Sequence, residues 1–216
     1  NKPGAGMTLG AAEVARARAE GQTLLLTVAD PLVNGPAVMR VPYDPLKDFR
    51  LITKLTVSKS GPILLASNAI KATTLPELVR EAKAAPVPIS YASFGPASFP
   101  QLIMETLARE GGVKFMEVPY KGSPPALQDL LGNLIELAFT SVEAAIPHVL
   151  SKRAHPIAVL DHSSLLPNVR TFADAGFKQF VFRNKLWFGL LAPSSTPDAV
   201  IQKLHGAARA ISADPV

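Results

Sequence analysis

The sequence predicts an α/β fold with mainly parallel sheets. Short β-type runs alternate with helical segments along nearly the whole chain. Three of those strands run into loops of Ser, Thr, Gly or Asn, and two of these loops open directly onto a helix. Capping signals recur where helices should begin: Thr74 with Glu77, and Ser98 with Gln101, each have the spacing of a capping box.

Residues 1–6 (NKPGAG) read as a loop, and Thr8 as the cap of a small-residue helix over 11–19 that Gly21 ends. Residues 23–29 (TLLLTVA) have the length and β-type content of a buried strand, which runs into the loop from Asp30 to Gly35. Residues 41–51 are loop-like, with two prolines. Strands follow at 52–57 and 62–67, then a helix over 74–85 that Pro86 and Pro88 stop. A strand at 87–91 breaks at the small residues 92–97, and a helix begins at Ser98 with Pro100 in its first turn. A strand at 114–118 enters the turn 119–123. Ser123 there reads as the cap of a short helix that Gly132 closes at C′. A strand at 134–139 ends at Thr140 and Ser141, where the helix 142–150 starts. A strand at 156–160 and a short helix at 171–175 come next. The strand at 185–192 holds the single Trp, and a last helix spans 197–213 behind Ser195 or Thr196 as cap.

The chain has 216 residues, enough for one large domain or two small lobes, and 48% of them are apolar. A net charge of +5, with Lys and Arg scattered and no aromatic-basic interleaving, gives no sign of a nucleic-acid partner. No apolar run reaches membrane-spanning length, so direct membrane insertion is not expected. Without cysteine there is neither disulfide nor thiolate ligand nor cysteine nucleophile. The chain opens on Asn1, in a turn-like segment, as a trimmed or mature product would.

Catalytic signals are weak. His148, His155, His162 and His205 form no close ligand pair, so no metal and no cofactor are expected. The run Asp161-His162-Ser163-Ser164 is adjacent in sequence, whereas triads assemble from separated segments, so it reads as a polar turn. The GxSxG, GxGxxG and P-loop motifs are absent. Glu136, on a strand, and Glu143, in a first helical turn, have sufficient structural roles, and Trp187 and Phe188 read as core. Tyr120 and Lys121, at a strand's carboxyl end, suit either a ligand or a surface turn. In α/β folds, ligands bind beyond the carboxyl ends of strands. The loops at 29–35, 93–98 and 140–143 therefore form the candidate site. Its residues are Asp30 and Asn34, then Ser93, Gly95 and Ser98, then Thr140 and Ser141. Helix N-termini and hydroxyls in such loops suit a small anion.

Five stretches, in order, carry a family resemblance: NKPGAG (1–6), VPYDPLKDF (41–49), VPYKGSPPALQDLLGN (118–133), PHV (147–149) and WFGLLAPSSTP (187–197). Together they make the chain similar, over essentially its whole length, to the Bug or TctC-type solute-binding receptors of tripartite tricarboxylate transporters. The resemblance implies a periplasmic binding protein of type II, with two α/β lobes joined by hinge strands. It implies a small carboxylate held between the lobes by amides, hydroxyls and waters, a membrane permease as partner, and no enzymatic activity. The implied hinge strands are 62–67 and 187–192. Lobe one is then 1–61 with 191–216, and lobe two is 62–190.

The chain departs from the family pattern in three places. The family usually begins earlier, with a strand and a ligand-contacting loop, and runs on into further C-terminal helices. A fragment or a truncated protein, with lobe one short of core, is therefore expected. Where the family reads S-S-G-N-G-T, residues 93–98 keep Ser93, Gly95 and Ser98 but carry Phe94, Pro96 and Ala97, and Pro96 has no N–H to offer. Thr140-Ser141 stands where the family often has Asp-Asn, which favours a carboxylate without an ammonium group. Ser98 and its helix are expected to face that carboxylate, and Asp30 to orient a water or a ligand hydroxyl. The alternatives are a small α/β enzyme acting on a carboxylate, or a degenerate receptor that no longer binds.

Overall fold

A computed structural model describes residues 4–57, 61–183 and 186–213. The first three residues of the expected N-terminal loop lie outside them. The chain divides into two compact units, residues 1–57 with 186–216, and residues 58–185.

The first unit is built on a three-stranded sheet, ordered β1 (Leu25–Thr27), β8 (Trp187–Pro193), β2 (Phe49–Val57), with both pairings antiparallel. Helix α1 (Thr8–Ala15) covers one face, where Ala11 and Val14 pack with Leu25, Tyr43, Phe49 and Leu191. Helix α7 (Asp198–Ala213) packs Ile201 against Ile52 and Ala192. His205 Nδ1 lies 2.8 Å from the Ile52 carbonyl and fastens α7 to β2. Arg50 adds an exposed ion pair to Asp198 at 2.5 Å, of the surface kind that contributes little. Thr8 does not cap α1: its hydroxyl donates to the Ala5 carbonyl, while Met7 occupies the cap in a left-handed conformation. The first strand is shorter than 23–29, because only Leu25–Thr27 lies opposite β8. Behind it, Asp30–Asn34 forms a π-helical turn that continues into the short helix α2 (Gly35–Val38).

The second unit is a five-stranded sheet with helices on both faces, ordered β5 (Phe115–Pro119), β4 (Ile89–Ser93), β6 (Leu137–Ser141), β3 (Pro62–Ser67), β7 (Ala154–Val159). All six residues of β3 are buried, as expected for a strand covered on both sides. Leu64 and Ala66 face α3 (Leu75–Ala84) and α4 (Phe99–Gly111), while Ile63 and Leu65 face α5 (Ser123–Leu131) and α6 (Val142–Leu150).

The mainly parallel expectation is corrected here. Strands β4, β5, β6 and β7 all run one way, each joined to the next by α4, α5 or α6. Strand β3 runs against them and is inserted between β6 and β7, which makes both of its pairings antiparallel. Period-two burial fixes a strand's faces and leaves its direction open.

The capping box of α3 forms as the spacing predicts. Glu77 accepts from the Thr73 and Thr74 amides at 2.9 and 3.1 Å, and these bonds hold its carboxyl below the usual range. Replacing Thr74 by Ala should cost about 1 kcal/mol. Because the folded carboxyl is the stronger acid, its contribution is complete above the ordinary glutamate range and is lost as pH falls through the lower folded value. Thermal melts should therefore separate wild type from Glu77→Gln near neutral pH, and the gap should narrow as the pH falls below the ordinary glutamate range.

Other differences are local. Residues 171–175 make a single turn, closed by mutual Thr171–Asp174 bonds. Phe172 within it is fully buried and lies against Phe139 and Phe182. The residue before α7 is Pro197, and the Thr196 hydroxyl, buried, has no hydrogen-bond partner, so the cap expected of Ser195 or Thr196 is not made by Thr196. Gly132 keeps right-handed helical angles, and Asn133, at φ 56°, is the left-handed residue that ends α5. Phe188 is exposed and Trp187 half-buried, its ring lying over Gly189, so neither belongs to a core.

Candidate functional site

In the second unit, β4, β5, β6 and β7 deliver their carboxyl ends to one edge of the sheet, and β3 starts there, with Pro62 opposite Ser141. Helices α4, α5 and α6 begin at this edge, so three positive dipole ends point to it. This is the crevice position that sequence reasoning assigned to a ligand. Ser93, Gly95, Ser98, Thr140 and Ser141 all lie along it, whereas Asp30 and Asn34 stand in the first unit.

The loop after β4 is tied to itself. Phe94 N–H donates to Ser98 Oγ at 3.1 Å, and Gly95 N–H to Ser93 Oγ at 3.2 Å. Ala97 N–H donates to Gln101 Oε1 at 2.8 Å, and Ser98 N–H to the Gly95 carbonyl at 3.1 Å. Pro96 has no N–H, so every amide from 94 to 98 is either bonded within the loop and its helix or absent. The capping box expected at Ser98 is therefore not formed. The Ser98 hydroxyl, fully buried, serves the loop behind it, and Gln101 reaches back to Ala97. Ala97 sits at φ 62°, a left-handed conformation uncommon for a residue with a Cβ. Such strain persists only where the surroundings impose it.

Glu117 on β5 does much of the imposing. Its Oε1 accepts from Ser93 Oγ at 2.5 Å, and its Oε2 accepts from Gln101 Nε2 at 3.0 Å. Beneath it, Tyr91 is buried, and its hydroxyl acidity is suppressed first by burial and then by the charges of Glu117 and Glu105.

At the next two junctions the hydroxyls are more available. Gly122 turns the chain into α5 at φ 127°, a region that only glycine adopts freely. Ser123 does not cap α5; its hydroxyl donates to Thr140 Oγ1 at 3.0 Å and so links the β5 and β6 junctions. The Tyr120 hydroxyl donates to Asp129 at 2.7 Å, and burial, with that carboxylate second, pushes it up to about 12, so it stays protonated. Lys121 beside it is exposed. Ser141 caps α6 by accepting the Ala144 amide at 3.2 Å and is itself exposed. Glu136 immediately precedes β6 and accepts the Ser90 amide at 2.8 Å and the Ser90 hydroxyl, a structural role.

In the first unit, Asn34 Nδ2 donates to Asp30 Oδ1 at 2.9 Å across one turn, and Asp30 is buried. The Tyr43 hydroxyl donates to the Pro31 carbonyl at 2.5 Å and braces the same turn.

Sequence reasoning missed Glu117. In FMEVP it looks like one polar position on an edge strand, and only the pairing of Tyr91 with Glu117 across β4 and β5 brings it under the loop. Among the described residues no group of His, Asp and Glu is arranged to hold a metal ion. His155 is bound to the Ala72 carbonyl at 2.9 Å, and His162 pairs with Asp174 at 3.2 Å. No helix among the described residues is long and apolar enough to cross a membrane.

Comparison with known proteins gives a consistent result. The sequence pattern of the tripartite tricarboxylate transporter family receptor matches residues 1–216. The chain is 31% identical to Protein BugT of Bordetella pertussis over 95% of its own length and 63% of BugT's. It therefore spans somewhat under two thirds of that relative. The solved structure of the periplasmic binding protein BugD superposes on the whole chain with a TM-score of 0.89 at 31% identity, covering 71% of BugD. MatC from Rhodopseudomonas palustris, solved with bound malate, superposes on 98% of the chain with a TM-score of 0.85 at 27% identity, covering 71% of MatC.

Proposed function

The chain belongs to the tripartite tricarboxylate transporter receptor family, and from that premise we propose that it serves a periplasmic solute-binding protein that captures a small organic carboxylate. The observation that carries the reading is a family match over residues 1–216, joined to a fold shared with a malate-bound relative. The matched relatives are binding proteins and not enzymes. BugD is a periplasmic binding protein, and the same location is proposed for this protein.

The edge where β4, β5 and β6 end is the proposed ligand-facing surface of the second unit. Its donors and dipoles suit an anion: Ser141 and the start of α6, the Thr140–Ser123 hydroxyl pair, Gly122 at the start of α5, and the Lys121 ammonium. The Asp30–Asn34 turn is proposed to supply the first unit's share, with Asp30 orienting a water or a ligand hydroxyl. Ser93, Gly95 and Ser98 shape the β4 loop, whose contribution is then its form and its exposed Pro96 rather than free amides. In this reading the two units are the lobes, and the captured carboxylate is delivered to a membrane permease.

Calorimetry and thermal shift against succinate, malate, citrate, aspartate and glutamate test the reading. A non-amino di- or tricarboxylate should bind and raise the melting temperature, by the equivalent of about 2.7 kcal/mol at a hundredfold excess over its Kd. With Thr140-Ser141 in place of an acid, aspartate and glutamate should bind more weakly. A folded protein stabilised by none of the five would sink the receptor reading.

A further inference from the structure

We propose that Glu117 is a positioning residue for the receptor edge: it locks residues 94–98 in their strained shape through two separate arms. The proposal deepens the receptor reading and rests on it for its functional consequence. One arm runs from Gly95 N–H to Ser93 Oγ, and from that hydroxyl to Glu117 Oε1. The other runs from Ala97 N–H to Gln101 Oε1, and from the same side-chain amide to Glu117 Oε2. An ionised carboxylate offers acceptors only, so it can receive both donors at once. Donating to Glu117 leaves the lone pairs of Ser93 Oγ, and the Oε1 of Gln101, turned to accept from the loop. This orientation is what the loop needs, because Gly95 and Ala97 both present N–H groups inward. The left-handed Ala97, held from one side by Gln101, depends on the second arm most directly.

A through-space effect of negative charge would look similar in a simple knock-out, and Glu105 separates the two. It also places its charge near Tyr91, yet it stands on α4 and has no part in either arm. Glu117→Gln keeps the shape and turns one acceptor into a donor, which must then face the hydroxyl of Ser93 or the amide of Gln101.

The test is amide hydrogen exchange followed residue by residue by NMR on the ligand-free protein, with carboxylate affinity measured separately. In Glu117→Gln, exchange at the amide of whichever arm meets the new N–H, Gly95 or Ala97, should accelerate at least about tenfold, with β3 amides unchanged, and carboxylate affinity should fall at least about fivefold. Gln101→Leu, which cuts one arm, should accelerate Ala97 and leave Gly95 alone. Glu105→Gln should change neither. Unchanged exchange in Glu117→Gln would overturn the proposal, as would equal effects from Glu105→Gln. If the wild-type protein binds no carboxylate, exchange still decides the role of Glu117, and only the receptor reading falls.

Discussion

Replacing Phe172 by Ala should remove about 4 kcal/mol of stability from the second unit. Phe172 is fully buried and stacks on Phe182 with ring centroids 5.2 Å apart, and on Phe139 at 6.4 Å. Phe177 meets Phe182 edge-on at 5.9 Å, and Phe99 meets Phe139 edge-on at 5.2 Å, so five rings form one continuous cluster around a stack of three. The stack holds a stretch with little regular structure of its own. Between β7 and β8 the described residues have a single bridge, Val159 with Thr171, and one short 3-10 helix, Phe180–Phe182. Backbone bonds at the Val159 end are few, with Val159 donating to Arg170 and Phe172 donating to Val159, both at 3.1 Å. Truncating the central ring opens a cavity that rigid neighbours on the sheet cannot fill, and it removes two aromatic contacts. Denaturant unfolding should show the loss as a lower midpoint at unchanged slope. Phe172→Leu, which refills most of the volume, should cost less than about 2 kcal/mol. A loss below about 1 kcal/mol for the alanine variant would mean that the stack does not anchor this segment.

Such a stack is only partly visible in sequence. Phe172, Phe177, Phe180 and Phe182 lie close together, yet Phe180 is exposed while Phe172 and Phe182 are buried, and no periodicity distinguishes them in a loop. Elements whose cause is local were legible. Pro62–Ser67 and Val142–Leu150 appear at their predicted limits, because turn and cap residues flank them. The capping box at Thr74 forms because both partners lie within one turn, and the other donors that Glu77 accepts come from the neighbouring Thr73. Ser98 and Gln101 have the same spacing and do otherwise. The chain before Ser98 doubles back through Ala97, which brings the Phe94 amide to the serine, and Gln101 finds Glu117 across the sheet. Both partners are supplied by tertiary structure. The direction of β3 was illegible for a related reason, since a fully buried strand reads the same in either orientation. That the candidate loops of the second unit share one sheet edge followed from strand and helix order, and the division of labour among their hydroxyls did not. Ser93 and Ser98 face inward and Ser141 outward, although all three follow or end a strand.

That outward serine allows folding and binding to be separated, so Ser141→Asp should strongly weaken carboxylate capture while leaving the fold intact. Aspartate caps a helix as well as serine does, and its charge favours the α6 dipole. The Ala144 amide therefore keeps an acceptor, and stability should stay within about 0.5 kcal/mol of wild type. A ligand carboxylate at this edge would meet a like charge within about 4 to 6 Å, a repulsion of about 2 to 4 kcal/mol near a protein surface. Affinity should fall by about thirtyfold or more. Ser141→Ala should show the opposite balance. It adds no charge and only removes a cap, so it should cost about 1 kcal/mol of stability and a smaller part of the affinity. Calorimetry with the best-binding carboxylate, beside thermal melts of both variants, reads the two effects independently. Wild-type affinity in a well-folded Ser141→Asp protein would remove Ser141 from the site and move anion recognition along the edge to Gly122 and Ser123, where α5 begins.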